Sequence, residues 1–92
     1  MIKSFRNKGL EKFFCRNDQS RIKHEHAARL ARILDRLDAS IRPQDMNLPG
    51  YKFHELSGRE KGIWTVGSSR NWRVTFRFDG SDAVDVDYRD YH

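Results

Sequence analysis

Two of the last three side chains of the sequence are of kinds that transfer protons. Asp90 and His92 are separated only by Tyr91, so they would share one face of any strand that runs through them. An imidazole has an ordinary pKa of about 6.5 and acts as acid or base near neutral pH, where such a transfer contributes roughly 10²–10⁴-fold to a rate. The tripeptide is therefore a candidate for acid–base chemistry, whereas a structural interpretation leaves it as three polar surface residues.

A second imidazole, that of His54, lies in the middle of the chain among basic residues. It shares one face of a predicted strand with Lys52, and Phe53 points the opposite way. The candidate phosphate-binding cations are Lys52, Arg59, Lys61, Arg70, Arg73 and Arg77. A planar guanidinium binds two phosphate oxygens at once, so it suits a phosphate that gains negative charge during a reaction.

These residue types together suit cleavage of RNA without a metal ion or another cofactor. A base removes the proton of the ribose 2′-hydroxyl, and the resulting alkoxide attacks the adjacent phosphate. An acid then protonates the departing 5′-oxygen, while cations stabilise the extra negative charge. The reaction requires the 2′-hydroxyl, so the predicted substrate is RNA and not DNA.

Two groups look like metal sites, but a structural explanation is favoured for both. His24 and His26 lie two residues apart, which on a helix points them about 200° from each other, whereas ligand pairs prefer a spacing of four residues. We expect His26 to be half-buried and His24 to be solvated. Asp85 and Asp87 are expected to form ion pairs with arginines of the preceding strand.

The composition predicts one small, basic domain that covers residues 1–92. The formal net charge of +5 favours a polyanion such as nucleic acid or a ribosome, or else an acidic protein, as partner. Cys15 has no second cysteine with which to pair. No apolar run approaches the ~18 residues of a membrane span, and residues 1–10 lack the apolar stretch of a signal peptide. We therefore expect a cytoplasmic protein that does not associate with a membrane.

Hydrophobic spacing predicts two helices followed by a series of strands. Apolar residues recur at helical spacing in 7–15 and in 20–39, where Ser20 is the predicted N-cap. A short edge strand is predicted at 2–5. The remaining strands are expected at 51–56, 63–66, 72–78 and 84–88. This order predicts an α+β fold in which the two N-terminal helices pack on a twisted, mainly antiparallel sheet.

The strand pattern also predicts turns and an open face of the sheet. Turns are expected at 57–62, 67–69 and 79–81. The apolar faces of the last two strands coincide only if their loop has three or five residues. The face opposite the helices should meet solvent or a ligand. Its predicted residues are Arg73, Thr75, Arg77, Asp85 and Asp87.

Five segments, in order along the chain, resemble the HigB toxins of the RelE/ParE superfamily. They are MIKSFRNKGLEKFF at 1–14, HELSG at 54–58, GIWTV at 62–66, NWRVTFRF at 71–78 and DYH at 90–92. The resemblance implies a compact RelE-like ribonuclease fold and cleavage of mRNA in the ribosomal A site during translation. It also implies a HigA-type helix-turn-helix antitoxin that represses the shared operon, so that operator DNA is contacted only through the antitoxin.

The resemblance implies that five residues of this chain are functional: His54, Arg73, Asp90, Tyr91 and His92. His54 or Asp90 would be the general base. His92 would be the general acid or would orient the phosphate. Arg73 would stabilise the transition-state charge, and Tyr91 would stack on a base or position the phosphate.

One position departs from the family pattern. Many HigB toxins have a lysine where this chain has Ser57. Arg59, Lys61 or Lys52 would then supply the missing phosphate contact. If none of them does, the activity would be weaker or directed to other targets.

Two other functions remain open at this point. ParE-like relatives share the fold but act by binding DNA gyrase and do not cut RNA. A module that binds RNA or the ribosome without catalysis is the third possibility. The titratable groups at His54 and at 90–92 favour the nuclease, because a protein that only binds needs no such cluster.

Overall fold

The chain forms two helices on one side of a four-stranded antiparallel sheet. The structure, a computed structural model, describes residues 1–90 apart from the side chain of Ser69. The strands follow one another across the sheet in chain order, which confirms the predicted α+β class. The elements are α1 (Lys8–Arg16), α2 (Ala27–Ala39), β1 (His54–Glu55), β2 (Trp64–Ser69), β3 (Trp72–Asp79) and β4 (Asp82–Asp90).

Each helix buries one apolar stripe, as its sequence spacing predicts. The buried helix residues are Leu10 and Phe13 of α1 and Leu30, Ile33, Leu34 and Leu37 of α2. They pack in one cluster with the sheet residues Val66, Val74, Phe76 and Val86. Burying such a side chain contributes roughly 1.5–3 kcal/mol, so this layer defines the helix-facing side of the sheet. None of the helices among residues 1–90 has both the length and the hydropathy to cross a membrane.

The two helices begin in different ways. The Asn7 side chain accepts a hydrogen bond from the backbone N–H of Leu10 at 2.9 Å and so caps α1. Ser20 does not cap α2, because the helix begins only at Ala27. The N–H of Ser20 donates to the Asp18 carboxylate at 3.0 Å in a separate turn, and a 3₁₀ turn at His24–His26 then leads into α2. The predicted N-cap is therefore wrong, and of the helix predicted at 20–39 the part Ala27–Ala39 is α-helical.

The hairpin between β3 and β4 is closed by two residues, since Asp79 pairs with Asp82. The predicted loop of three or five residues is therefore wrong. The apolar faces coincide because β4 contains a bulge at Asp85, where φ is +55°. Beyond the bulge the register is shifted by one residue, which returns Val86 and Tyr88 to the buried side.

The turn between β2 and β3 lies further along the chain than predicted. Residues 67–69, expected as the turn, are the last residues of β2, and the chain reverses at Arg70, where φ is +47°. Gly67 accordingly pairs with Arg73 in the β2–β3 ladder. The longer ladder places this glycine directly beside a predicted catalytic residue.

The predicted strand at 51–56 is mostly irregular. Only His54 and Glu55 pair with β2. Lys52 has a φ of +52°, which lies outside the extended region, so the strand cannot begin before it. The expectation that Lys52 and His54 share one strand face is therefore wrong, and β1 borders only the first two residues of β2.

The first residues of the chain run parallel to β4. Ile2 pairs with Ala83 and Phe5 pairs with Val86. The N–H of Lys3 donates to the carbonyl oxygen of Ala83 at 2.8 Å. The predicted edge strand at 2–5 is thus present as two bridges, and it makes the sheet mainly rather than wholly antiparallel.

Candidate active site

His54 and Arg73 lie on the same face of the sheet, the one that points away from the helices. His54 is opposite Thr65 of β2, and two residues further along β2 Gly67 is opposite Arg73. Opposed residues of antiparallel strands point to one side of a sheet, and so do residues two apart. The register therefore brings an imidazole and a guanidinium to one surface.

This face is partly covered, contrary to expectation. Thr75, predicted to meet solvent, is 1% exposed, as is Thr65 opposite it. An ion-pair chain spans the face: Arg89 Nε lies 3.3 Å from the Asp87 carboxylate, and Arg89 Nη1 lies 3.1 Å from Glu60 in the loop after β1. The predicted pairing of Asp87 with an arginine of β3 is therefore wrong, because its partner is two residues along its own strand.

The other strand acid, Asp85, is also placed differently from the prediction. It is exposed at the bulge, and within residues 1–90 it forms no ion pair with an arginine of β3. Its backbone N–H instead donates to Ser4 Oγ at 2.8 Å, which ties the bulge to the N-terminal segment. The residue therefore has a backbone role at the edge of the sheet.

The His54 imidazole is exposed and is held by a backbone contact. Its Nδ1 lies 3.0 Å from the carbonyl oxygen of Lys52. A carbonyl only accepts hydrogen bonds, so Nδ1 carries the hydrogen and Nε2 of the neutral ring keeps a free lone pair. In this tautomer the ring is ready to accept a proton at Nε2.

The position of Arg73 depends on the absence of a side chain at Gly67. A Cβ at Gly67 would lie 2.5 Å from Arg73 Nη1, closer than real contacts allow, so the guanidinium lies directly over the glycine. The N–H of Gly67 donates to the carbonyl oxygen of Tyr51 at 2.6 Å. The segment that leads into His54 is thereby tied to the same point of β2.

A basic hollow of about 180 Å³ opens beside this glycine, and we call it the Gly67 hollow. Its lining residues are Arg29, Gly50, Lys52, Gly67, Ser68, Arg70 and Arg73. Four of these seven residues are cations and none of the seven is acidic, so the local potential is strongly positive. Lys52, Arg70 and Arg73, all predicted from the sequence as site residues, meet here.

A larger hollow of about 460 Å³, the Asp90 hollow, lies at the end of the sheet. Its lining residues are Lys23, Glu25, His26, Arg70, Asn71, Trp72 and Asp90. Asp90 is opposite Trp72 in the ladder, so it lies on the helix-facing side and not on the face that carries Arg73. Arg70 borders both hollows and joins them.

A buried polar pair lies next to the Asp90 hollow. His26, 4% exposed, contacts the phenolic oxygen of Tyr88 through Nδ1. The Tyr88 ring stacks on Trp72 with the ring centroids 4.5 Å apart. Burial, together with the carboxylates of Asp90 and Glu25, raises the pKa of Tyr88 to about 12. The phenol therefore stays neutral and supports β4 just before Asp90.

The remaining predicted cations, Arg59, Lys61 and Arg77, line neither hollow. All three are exposed, Arg59 and Lys61 in the loop after β1. Arg77 Nη2 lies 3.6 Å from the Cβ position of Gly62, at the end of that loop. The structure thus divides the six predicted phosphate-binding cations into two groups of three.

Two predicted site residues, Tyr91 and His92, lie outside the described residues. His26 is buried and His24 is exposed, as expected of a pair that does not face one partner. Among residues 1–90, no group of three or more His, Cys, Asp or Glu side chains is arranged to hold a metal ion.

Arg29 is the residue of the Gly67 hollow that the sequence did not indicate. The sequence indicates only that Arg29 is one of several charged residues on the polar side of α2. Its guanidinium donates to the carbonyl oxygens of Gly50 at 3.1 Å and of Gly67 at 3.3 and 3.4 Å, and it lies 5.3 Å from the ring centre of Tyr51. Because its hydrogen-bond partners are backbone carbonyls, no sequence motif marks it.

Comparison with known proteins identifies the family of the chain. The family described as "RelE-like toxin of type II toxin-antitoxin system HigB" matches residues 3–92. The chain belongs to the HigB-like toxins. One relative of this HigB-like toxin, "Endoribonuclease HigB" of Proteus vulgaris, is 36% identical over 92 residues, which are 100% of each chain. The family resemblance read from the five sequence segments is thereby confirmed.

Proposed function

We propose that this HigB-like toxin cleaves translated mRNA in the ribosomal A site through acid–base chemistry of its own side chains. As a member of a type II toxin family with a full-length endoribonuclease relative, the chain is an endoribonuclease toxin whose partner is an antitoxin. The observation that carries the proposal is the position of His54, bound to the carbonyl of Lys52, a residue that lines the positively charged Gly67 hollow.

His54 is the general base in this proposal. Its Nε2 accepts the proton of the ribose 2′-hydroxyl, because Nδ1 already donates to Lys52. The 2′-oxygen attacks the adjacent phosphorus, and the bond from phosphorus to the 5′-oxygen breaks. The products are a 2′,3′-cyclic phosphate and a 5′-hydroxyl. Asp90, the other candidate base, is less suited because it lies on the opposite side of the sheet from Arg73.

Arg73 stabilises the phosphate as it gains negative charge. Its planar guanidinium offers paired donors, and its position over Gly67 exists before substrate binds, so little reorganisation is needed during the reaction. Lys52 lines the same hollow and is the cation best placed to supply the contact that Ser57 cannot make. Arg59 and Lys61 line neither hollow and are therefore more suited to flanking RNA.

The remaining roles are assigned on chemical grounds to the last three residues of the sequence. His92 protonates the departing 5′-oxygen, since an imidazolium is an acid of suitable pKa. Tyr91 stacks on a nucleotide base or positions the phosphate. Asp90, two residues earlier than His92, is a carboxylate of the kind that stabilises an imidazolium.

The partners follow from the same reaction. A HigA-type helix-turn-helix antitoxin neutralises the toxin and contacts operator DNA, whereas the toxin itself contacts the ribosome and mRNA. The net charge of +5 supports a polyanionic partner for the toxin. The site of action is the cytoplasm, where mRNA is translated.

Primer extension on a reporter mRNA after brief induction of the toxin tests the proposal. Cuts at discrete positions within codons are expected, and they should be absent from a copy of the same mRNA that lacks a start codon. The His54→Ala variant serves as the inactive control. Intact transcripts with double-stranded DNA breaks would instead support a gyrase-directed toxin, and RNA binding without cut ends would support a binding module.

A further inference from the structure

We infer that the Gly67 hollow also binds a second backbone phosphate of the RNA, next to the phosphate that is cleaved, with Arg29 of α2 as one of its ligands and Arg73 between the two phosphates. This rests on the proposed function, since it takes RNA as the source of the phosphate. It adds a binding residue from a helix whose charges have no role in the cleavage steps described above.

Two like charges converge on Gly67. Arg29 donates to the carbonyl oxygen of Gly67 at 3.3 and 3.4 Å, and Arg73 Nη1 lies over the same residue. Two guanidinium groups so placed repel each other, and within the described residues 1–90 no carboxylate lines the hollow to compensate. An anion between them would turn this repulsion into two favourable contacts.

Arg29 is held in place before any ligand binds. Its Nε and Nη2 make the three bonds to the carbonyls of Gly50 and Gly67, and Nη1 makes none of these bonds. The side chain is half-buried and packs against the Tyr51 ring. A guanidinium fixed in this way loses little conformational freedom when it binds phosphate.

The backbone is strained on both sides of the hollow. Lys52 has a φ of +52° and Arg70 a φ of +47°, which is the left-handed region that long side chains avoid. Residues of this kind cluster where ligands bind. Both strained residues line the Gly67 hollow and carry a positive charge.

The lining and the location of the hollow favour a phosphate adjacent to the cleaved one. Among residues 1–90, the lining includes four cations and no aromatic ring on which a base could stack. Lys52 lines the hollow and its carbonyl also holds His54. Two residues of chain span at most about 7 Å, so Lys52 and the hollow that it lines lie within about one nucleotide of His54.

Binding of a six-nucleotide RNA that is fully 2′-O-methylated, and so cannot be cleaved, tests this subsite. Fluorescence anisotropy at several salt concentrations gives the slope of log affinity against log salt. Arg29→Gln should weaken binding severalfold at low salt and reduce the slope by about 0.7, the value for one phosphate contact on a single strand. Arg32→Gln removes the same charge from an exposed position of the same helix and should leave the slope unchanged.

Two further measurements separate a binding role from a structural one. Arg29→Lys keeps the charge, so the salt slope should stay at the wild-type value. Loss of both the salt slope and thermal stability in this variant would indicate a structural role for Arg29 and would overturn the inference. A neutral methylphosphonate at the linkage next to the scissile one should weaken binding to the wild-type toxin. It should weaken binding less to Arg29→Gln, in which the other three cations of the hollow remain. Equal effects on both proteins, or no binding by the wild-type toxin at the lowest salt, would also overturn it.

The outcomes also distinguish the subsite from the proposed function. Cleavage of translated mRNA by a toxin whose salt slope does not depend on Arg29 would overturn the subsite alone. Binding of the methylated RNA through Arg29 by a toxin that leaves translated mRNA intact would overturn the proposed nuclease function alone.

Discussion

His26 and Tyr88 are 62 positions apart in the chain, yet the imidazole Nδ1 contacts the phenolic oxygen in the core. The contact joins the 3₁₀ turn before α2 to the last part of β4, two residues before Asp90. Trp72 packs against both rings, with ring centroids 5.6 Å from His26 and 4.5 Å from Tyr88, and His26 and Trp72 both line the Asp90 hollow. The end of β4 is therefore fixed by a polar contact as well as by apolar packing.

Replacing Tyr88 with phenylalanine should lower the free energy of unfolding by about 1–3 kcal/mol, because the buried His26 Nδ1 loses its partner. Urea denaturation followed by tryptophan fluorescence measures this loss. In a His26→Leu background the same replacement should cost less, since no imidazole is left unpaired. Equal losses in both backgrounds would show that the contact does not contribute as described.

Stability should also decrease at alkaline pH because of this phenol. Burial raises the pKa of Tyr88 to about 12 in the folded state, above the ordinary value of 10.0. The folded state therefore holds the proton more tightly, so this contribution is complete below pH 10 and is lost as the pH rises towards 12. Denaturation curves from pH 8 to 12 should show a steeper fall for the wild type than for Tyr88→Phe. Parallel falls would contradict this assignment.

Removal of the His54 imidazole should affect the reaction and not the fold. We expect His54→Ala to cut translated mRNA roughly 10²–10⁴-fold more slowly, because the general base is lost. The thermal midpoint should change little, since the side chain is exposed. His24→Ala removes an exposed imidazole elsewhere and should cleave at the wild-type rate. Full activity of His54→Ala would rule out the role of this residue as base.

A methyl group at Gly67 should impair cleavage by displacing Arg73. The added Cβ would lie 2.5 Å from Nη1, so the flexible guanidinium has to move while the backbone stays in place. We expect Gly67→Ala to lower kcat more than thermal stability. The same change in an Arg73→Ala background should have almost no further effect on cleavage, because the displaced group is absent. Additive losses in the double variant would indicate that Gly67 acts in another way.

The parts of the fold set by periodic hydrophobic spacing could be predicted from the sequence, whereas the parts set by single backbone conformations could not. The spacing of Leu30, Ile33 and Leu37 defines α2 because that face has to be buried. The bulge at Asp85 and the left-handed turn at Lys52 leave no periodic signal, since both use residues that are neither glycine nor proline. The predicted loop length and the predicted strand at 51–56 were wrong for this reason.

The candidate site could likewise be predicted from the sequence only in part. Arg73 and His54 were selected by residue type and by family resemblance, and the strand register brings them to one face. Arg29 was missed because its position depends on the carbonyls of Gly50 and Gly67, atoms that every residue has. A sequence indicates which side chains can bind phosphate, but it does not indicate which backbone atoms will hold them in place.

The parallel pairing of residues 2–5 with β4 has a consequence for the folding of the toxin. Ile2 pairs with Ala83 and Phe5 pairs with Val86, and the members of each pair are 81 positions apart in the chain. Pairing of such distant segments requires closure of a long loop, and it forms late in folding. The outer edge of β4 is therefore covered last, and until then it presents unpaired backbone groups to other chains.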